Sequence, residues 1–297
     1  MRRAKTSGSG WKCWTAAAVV GVLAGTLVVG AEGRAADKLP LEIIAHRGAS
    51  FDAPENTLAA LRLGFEQASD AGELDVWVSR DGRPVVVHDA DTKRVAGVDK
   101  KIADQTFEEL RRLDVGRWKS PRYAGERIPS LAEALATIPD GKRMFVEIKC
   151  GVEGVPAILR EIREAAKPAA QTPIISFKAD VVAMVKQQRP DLAAYWIASM
   201  KEDKQGRRPT VEWLIERAQA IQADGLDLSD SPTINAAFIA KVRAAGLKFY
   251  VWTIDDADVG RRFADLGVDG ITTNRPAWLR GEIGVETGKR AAGVGGE

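Results

Sequence analysis

The chain has 297 residues, of which 45% are apolar and 28% are charged, and its formal net charge is +2. This composition is that of a globular protein with an ample core, and the length suits one α/β barrel as well as two smaller domains. No basic stretch with interleaved aromatic residues occurs. The composition therefore argues against nucleic acid as a partner.

Residues 1–35 differ in kind from the rest of the chain. The basic segment MRRAKTSGSGWK precedes an uncharged run from Cys13 to Ala31, and the small residues Gly33 and Ala35 follow. This order predicts a secretory signal peptide that is cleaved after Ala35, and hence an exported protein, periplasmic or secreted. The alternative is a retained membrane anchor with the protein facing outward, because the 19 uncharged residues are just enough to span a bilayer.

Cleavage would change both the charge and the thiol content. Basic residues fall from 43 to 38 and acidic residues from 41 to 40, so the mature net charge is −2. Cys13 is removed, so Cys150 has no partner for an intramolecular disulfide. We expect the mature chain to be stabilised by its core and not to insert stably into a membrane. No feature of the sequence favours one oligomeric state.

From residue 41 onward, apolar strand-like runs alternate with amphipathic helical segments. The pattern predicts strands at 41–47, 73–78, 143–149, 172–177, 192–198, 225–229, 247–253 and 267–273, and helices at 56–69, 155–167, 180–188, 210–222, 236–245 and 256–266. Eight strands with helical crossovers predict a (β/α)8 TIM barrel over residues 41–282. A doubly wound sheet is the main alternative, but no Gly-rich phosphate loop follows the first strand.

Three segments depart from this alternation. Residues 79–89 read as a hairpin with an Asp81-Gly82 turn. Residues from about 90 to 130 are polar, with one short helical piece at 106–113, and we interpret them as an insertion after the second strand that is too short for an independent core. Residues 283–297 are small and polar, and we expect a disordered tail there.

Charged side chains fall on the inward face of two predicted strands. Glu73 and Asp75 share one face because they are two residues apart, and Glu147 and Lys149 do the same on the next barrel strand. Three buried carboxylates at the carboxyl end of a barrel predict a site for a divalent cation, Mg²⁺ or Ca²⁺. The alternative is a salt-bridge cluster with Arg47 and Lys149, but two cations leave negative charge for a metal to balance.

The two histidines of the chain both lie at predicted strand ends or turns. His46 ends the first strand beside Arg47, whose planar guanidinium can bind a phosphate oxygen. His88 returns from the hairpin beside Asp89. A single histidine is usually structural, but two imidazoles near a metal site favour general acid–base catalysis of phosphodiester cleavage.

Two further segments are less specific. The sequence PENT at 54–57 opens a helix that Asn56 or Thr57 can cap, and this capping role is as consistent with the pattern as a catalytic one. Glu55 can pair with the arginine of the first strand end or reach the metal. Trp252 can form an apolar wall for a small polyol or its substituent, or fill the core.

Seven segments occur in the order typical of the glycerophosphodiester phosphodiesterase family: HRGASFDAPENT, ELDVWVSRDGRPVVVHD, GERIPSLAEAL, FVEIK, ISF, VWTIDD and GVDGITTNRP. The chain resembles that family over about residues 41–280. The resemblance implies a barrel with a small insertion, and metal-dependent hydrolysis of glycerophosphodiesters to sn-glycerol 3-phosphate and an alcohol. It implies catalytic His46 and His88, metal ligands Glu73, Asp75 and Glu147, and phosphate-binding Arg47 and Lys149.

The chain departs from the family pattern at two positions. Gly72 stands where an aliphatic residue is usual, and Asn274 stands where Asp is more common. We expect neither to touch the chemistry, although both bear on local packing and substrate contacts.

Other functions remain as alternatives. Sphingomyelinase-type phospholipase D and phosphatidylinositol-specific phospholipase C enzymes are distantly similar, but VWTIDD and GVDGITTNRP favour the diesterase. A non-catalytic binding protein on a degenerate barrel would lack an essential group, yet both histidines and all three acids are present. The preferred alcohol, the choice between Mg²⁺ and Ca²⁺, and attack by water or by the adjacent glycerol hydroxyl stay open.

Overall fold

The computed structural model describes residues 41–285. The predicted signal peptide at 1–35 lies outside this range and stays a prediction, as does the predicted tail from residue 286 onward.

Eight parallel strands close into a barrel, and a ninth forms a hairpin with the second of them. The strands are β1 (Glu42–Ala45), β2 (Ala71–Val78), β3 (Pro84–Val86), β4 (Arg143–Ile148), β5 (Ile174–Ser176), β6 (Ala194–Ala198), β7 (Gly225–Ser229), β8 (Lys248–Trp252) and β9 (Gly270–Thr273). The ring runs β1-β2-β4-β5-β6-β7-β8-β9, and β9 pairs with β1 again. The predicted TIM barrel is confirmed, and the doubly wound alternative is wrong because the sheet has closed.

Helices cover the outside of the barrel. They are α1 (Leu58–Glu66), α2 (Lys93–Ala96), α3 (Phe107–Arg111), α4 (Leu131–Leu135), α5 (Val155–Glu164), α6 (Ala179–Gln188), α7 (Val211–Ala220), α8 (Ala236–Ala244), α9 (Ala257–Leu266) and α10 (Pro276–Ile283). Every predicted helix is present, most of them shorter than predicted.

The sequence pattern does not predict α2, α4 or α10. α2 has four residues, too few to show a period. α4 has five residues, too few to show a period, and it begins with a capping box in which Ser130 and Glu133 bond each other's backbone N–H. α10 runs to Ile283, so the predicted disorder is wrong at that residue. Proline at the first turn of α10 starts the helix, because it needs no hydrogen-bond acceptor there.

The alternation along each strand divides the core into two layers. Outward side chains such as Val146 pack under the helices, whereas Phe145 points into the barrel with Tyr195 and Tyr250. The Phe145 and Tyr250 ring centroids are 5.2 Å apart, and those of Tyr195 and Tyr250 are 4.9 Å apart. Because Glu147 lies two residues beyond Phe145 on the same face, this aromatic layer forms the floor beneath the charged end of the barrel.

The insertion is joined to the hairpin by a small apolar cluster. β3 pairs antiparallel with β2, as the Asp81-Gly82 turn predicts. Buried side chains from the hairpin and the insertion pack together, and they are Val85, Val87, Val95, Ile102, Leu110, Val115 and Ile128. The insertion thus has a small cluster that depends on the hairpin, so it is not an independent unit.

Two glycines allow close contact between neighbouring elements: Gly48 with α1 and Gly72 with β4. Gly48 has φ of +79°, and a Cβ there would lie 2.3 Å from the backbone carbon of Ala60 in α1. At Gly72, a Cβ would lie 2.8 Å from the sulfur of Met144. The buried Met144 side chain therefore fills the space that an aliphatic side chain at position 72 would take.

Gly48 and Gly82 provide a matched test of this close approach, since both have φ of +79° but nothing lies within 4 Å of a Cβ at Gly82. We expect Gly82→Ala to lower the free energy of unfolding by about 1–2 kcal/mol, from backbone strain alone. Gly48→Ala should lower it by about 3 kcal/mol or more, because overpacking adds to the strain. Denaturant unfolding of the two variants checks this prediction. Equal losses of unfolding free energy would show that α1 moves away from the added methyl group at no cost.

Candidate active site

The carboxyl ends of the barrel strands surround a cavity of about 290 Å³. Most of the residues singled out from the sequence line it, namely His46, Arg47, Glu73, His88, Glu147, Lys149 and Trp252. Asp75 lies among them and is 1% exposed. The fold therefore brings together side chains that are up to 206 residues apart, from His46 to Trp252.

The three predicted acids form one compact cluster. Asp75 on β2 lies opposite Glu147 on β4, and Glu73 lies one inward position before Asp75. Each offers an oxygen within 4.8 Å of the others. Glu73 Oε1 and Asp75 Oδ1 are buried without a hydrogen-bond partner among residues 41–285. Buried carboxylate oxygens that lack a hydrogen-bond donor suit a hard dication, so this cluster could hold one.

Two cations lie against the acids, as the salt-bridge alternative requires. Arg47 Nε is 3.2 Å from Asp75, and the Arg47 backbone N–H donates to Glu73 Oε2 at 2.8 Å. Lys149 Nζ lies 2.9 Å from Glu147 and 3.4 Å from Asp75. These contacts are compatible with the metal interpretation, because three carboxylates still exceed two cations.

The pKa values of the three acids reflect this excess of carboxylates over cations. Burial, together with the charges of Asp75 and Glu147, raises the pKa of Glu73 well above its usual value. Burial and Asp75 also raise the pKa of Glu147. Burial opposes ionisation of Asp75 as well, but Arg47 and Lys149 lower the pKa of Asp75 below its usual value. Glu73 and Glu147 therefore hold their protons to a higher pH than a free carboxyl does, and a divalent cation would compete with those protons.

Of the two candidate caps of α1, Thr57 caps the helix and Asn56 does not. Thr57 Oγ1 accepts from the Ala60 N–H at 3.2 Å. Asn56 has φ of +59° and bonds Asp75 twice, donating through Nδ2 at 2.8 Å and accepting the Asp75 N–H at 3.1 Å. Asn56 therefore orients a candidate metal ligand.

Glu55 pairs with arginines, as the first of its two sequence-based alternatives expects. It lies 2.9 Å from Arg47 and 2.8 Å from Arg94 of α2. Arg94 also lies 2.7 Å from Asp89, whose other oxygen is 2.6 Å from His88 Nδ1. The insertion thus orients His88 through Arg94, which no local sequence signal identifies.

His46 is held by a polar chain that the sequence analysis missed. Its Nδ1 is 2.7 Å from Asn274 Oδ1. The Asn274 Nδ2 donates to Asp255, which also accepts the Asn274 backbone N–H at 2.8 Å. Because Asp255 fixes the amide, His46 Nδ1 carries the hydrogen and Nε2 is left as an acceptor. Asn274, which we expected to lie away from the chemistry, therefore contacts a candidate catalytic histidine.

The surroundings of His46 favour its neutral form. Burial is the main cause, and together with the neighbouring Arg47 it lowers the pKa of His46 from 6.5 to about 4. At neutral pH the ring is unprotonated at Nε2 and can accept a proton.

The opposite side of the cavity is mainly apolar. Trp252 lines it, as predicted, and packs edge-on against Phe177 with ring centroids 5.4 Å apart. The Trp252 indole donates to the backbone oxygen of Asp227 at 3.1 Å. Asp227, which the sequence analysis also missed, is buried on β7, and burial raises the pKa of Asp227 to about 8. Cys150 is buried in the outer layer, away from the cavity.

Imidazoles, a guanidinium and a buried acidic cluster at the mouth of a closed (β/α)8 barrel define a hydrolase of phosphate esters. The model of the glycerophosphoryl diester phosphodiesterase family matches residues 46–278. The chain therefore belongs to this family, and it is a phosphoric diester hydrolase.

Individual relatives agree with the family match. A glycerophosphodiester phosphodiesterase of Caldanaerobacter subterraneus subsp. tengcongensis is 31% identical over 244 residues, covering 80% of this chain and 95% of that protein. A phosphodiesterase of Oleispira antarctica, solved in complex with the product sn-glycerol-3-phosphate, is 29% identical with a TM-score of 0.73, covering 83% of this chain and 97% of that one. A glycerophosphodiester phosphodiesterase structure from Thermotoga maritima is 26% identical with a TM-score of 0.65, covering 80% and 96%.

The polar chain behind His46 predicts a measurable titration. With two histidines in the chain, imidazole NMR should show one ring with a pKa of about 4, and His46→Ala should remove that signal. Asn274→Asp should raise the pKa of His46, because a carboxylate at Nδ1 favours the protonated ring. The double variant Asp255→Asn, Asn274→Asp should also raise the pKa of His46, and it does not place two carboxylates side by side.

The same shift affects stability in a defined direction. The unfolded chain binds a proton at His46 near pH 6.5 and the folded chain only near pH 4, so this group destabilises the fold as the pH falls through that interval.

For the titration of the variants, an unchanged His46 pKa in Asn274→Asp would contradict the proposed hydrogen-bond geometry.

Proposed function

We propose that the protein hydrolyses glycerophosphodiesters to sn-glycerol 3-phosphate and a free alcohol, with a divalent cation held by Glu73, Asp75 and Glu147. One observation carries the proposal, namely the buried acidic cluster, two of whose oxygens lack a hydrogen-bond partner among residues 41–285, in the cavity that His46 and His88 also line. Its relatives are named for this reaction, and the product named for the Oleispira antarctica structure is the one expected here.

The charged side of the cavity suits a phosphate diester. Arg47 and Lys149 both line it and present N–H donors for phosphate oxygens. A bound cation, Mg²⁺ or Ca²⁺, would neutralise charge on the phosphate and lower the pKa of the attacking hydroxyl. That hydroxyl belongs either to water or to the glycerol carbon next to the ester.

The two histidines have different partners, and we assign them different roles. His46 is neutral with Nε2 as the acceptor, so it takes the proton of the attacking hydroxyl. His88 Nδ1 lies 2.6 Å from the Asp89 carboxylate, which orients the ring as the proton donor to the leaving alcohol. Both roles are general acid–base catalysis.

The place of action is proposed from the sequence. Residues 1–35 have the order of a secretory signal peptide, so we place the activity outside the cytoplasmic membrane, in the periplasm or secreted. Within residues 41–285, no helix has the length and apolar character needed to cross a bilayer.

Metal dependence is testable on purified protein with glycerophosphocholine. Exhaustive chelation should abolish cleavage, and Mg²⁺ or Ca²⁺ should restore it, with products identified by phosphorus NMR, which also reveals any cyclic phosphate. Asp75→Asn should lower the bound metal as well as the rate, because it removes a charged ligand. Full activity in a protein shown to be free of metal would refute the metal role.

The division between the histidines is tested with leaving groups of different acidity. Either His46→Ala or His88→Ala should lower the rate on glycerophosphocholine by about 10²–10⁴-fold. A 4-nitrophenyl ester of glycerol phosphate scarcely needs a proton donor, so it should restore much of the rate of His88→Ala but not of His46→Ala. The opposite rescue would reverse the assignment, and equal rescue would remove the division.

A further inference from the structure

The active-site cavity has a second side that the proposed chemistry leaves unassigned. Strands β1, β2 and β4 supply its charged groups, whereas strands β5 to β9 and the segments that follow them supply Ile175, Phe177, Ile197, Asp227, Trp252, Thr253 and Thr272. Among these seven residues, Asp227 is the one with an ionisable side chain. This side of the cavity is thus mainly apolar and carries one carboxyl group.

Asp227 lacks the partners that other buried acids of this cavity possess. It is 3% exposed, its Oδ1 has no hydrogen-bond partner, and no ion pair reaches it among residues 41–285. Asp75, by contrast, contacts Arg47, Lys149 and Asn56. A carboxyl that is buried without a partner costs stability, so packing gives no reason for it. Asp227 is one of the residues that line the cavity, so its carboxyl is placed to meet a ligand there.

The position of Asp227 in the barrel indicates which part of a ligand it would meet. In the closed ring of eight, β7 lies four strands from β2 in either direction, and therefore opposite it. A phosphate held beside the acids of β2 and β4 has two ester arms, and an arm that crosses the cavity would end near β7. We take this arm to be glycerol. Trp252, whose indole bonds the Asp227 backbone oxygen at 3.1 Å, forms the adjoining apolar wall for the carbon chain.

The geometry points to Asp227 as the residue that recognises the free terminal hydroxyl of the glycerol moiety, so that the site selects diesters of a polyol. This inference rests on the proposed function. It holds for either form of the carboxyl, because the protonated group donates to a hydroxyl and the ionised group accepts from one. A site built to bond a hydroxyl discriminates strongly against an analogue that lacks it, since its buried polar group is then left unpaired.

The test compares two substrates that differ in that hydroxyl alone. Glycerophosphocholine carries it, and the analogue with propane-1,2-diol in place of glycerol lacks it while keeping the hydroxyl next to the ester. For Asp227→Leu we expect kcat/KM on glycerophosphocholine to fall about 10–100-fold, with the rate on the analogue unchanged, so that the wild-type preference is lost. Asp227→Asn, which keeps hydrogen-bonding groups, should retain most of the preference.

Thermal unfolding separates this role from a structural one. Asp227→Leu should unfold at the same or a higher temperature than the wild type, because an unpaired buried carboxyl is removed. A lower unfolding temperature with equal losses on both substrates would overturn the inference, and so would an unchanged preference for glycerophosphocholine. If the wild type cleaves neither substrate, the proposed function fails first and this inference fails with it.

Discussion

Mutual repulsion among three carboxylates inside a rigid barrel is the constraint on which the rest of the site depends. Register places Asp75 directly opposite Glu147, with Glu73 one inward position before it, and hydrogen bonding between β2 and β4 prevents the strands from separating. Burial makes this repulsion stronger than it would be in water. Arg47 and Lys149 offset part of it, and the remainder is available to bind a divalent cation.

The elements around the barrel mouth hold these charges in place. Asn56 fixes Asp75 from the loop before α1, and Gly48 lets that helix lie against the same loop. Arg94, from the insertion, connects Glu55 beside the cluster to Asp89 behind His88. The insertion therefore serves the site by orienting one imidazole relative to the acidic cluster, and its apolar contacts with the hairpin keep it in position.

The two sides of the cavity fulfil different chemical needs. In the proposed reaction the charged side would stabilise the phosphate and a hydroxyl that loses its proton, and burial keeps His46 neutral so that it can accept that proton. The apolar side surrounds the Asp227 carboxyl, whose Oδ1 has no hydrogen-bond partner among residues 41–285, a cost that a bound hydroxyl would relieve. Both sides stand on the aromatic floor of Phe145, Tyr195 and Tyr250, which closes the barrel below.

The sequence by itself determined the barrel, its strand order and the main reactive groups. The alternation of strands with helices is a local pattern, and a spacing of two residues along a strand identifies carboxylates that share the inward face. Only the tertiary structure decided how these groups are held. His46 bonds Asn274, 228 residues away, and Glu55 bonds Arg94, 39 residues away, so no local pattern indicates either pair. The closure of the ring also set β7 opposite β2, and this alone placed Asp227 across the cavity from the acids.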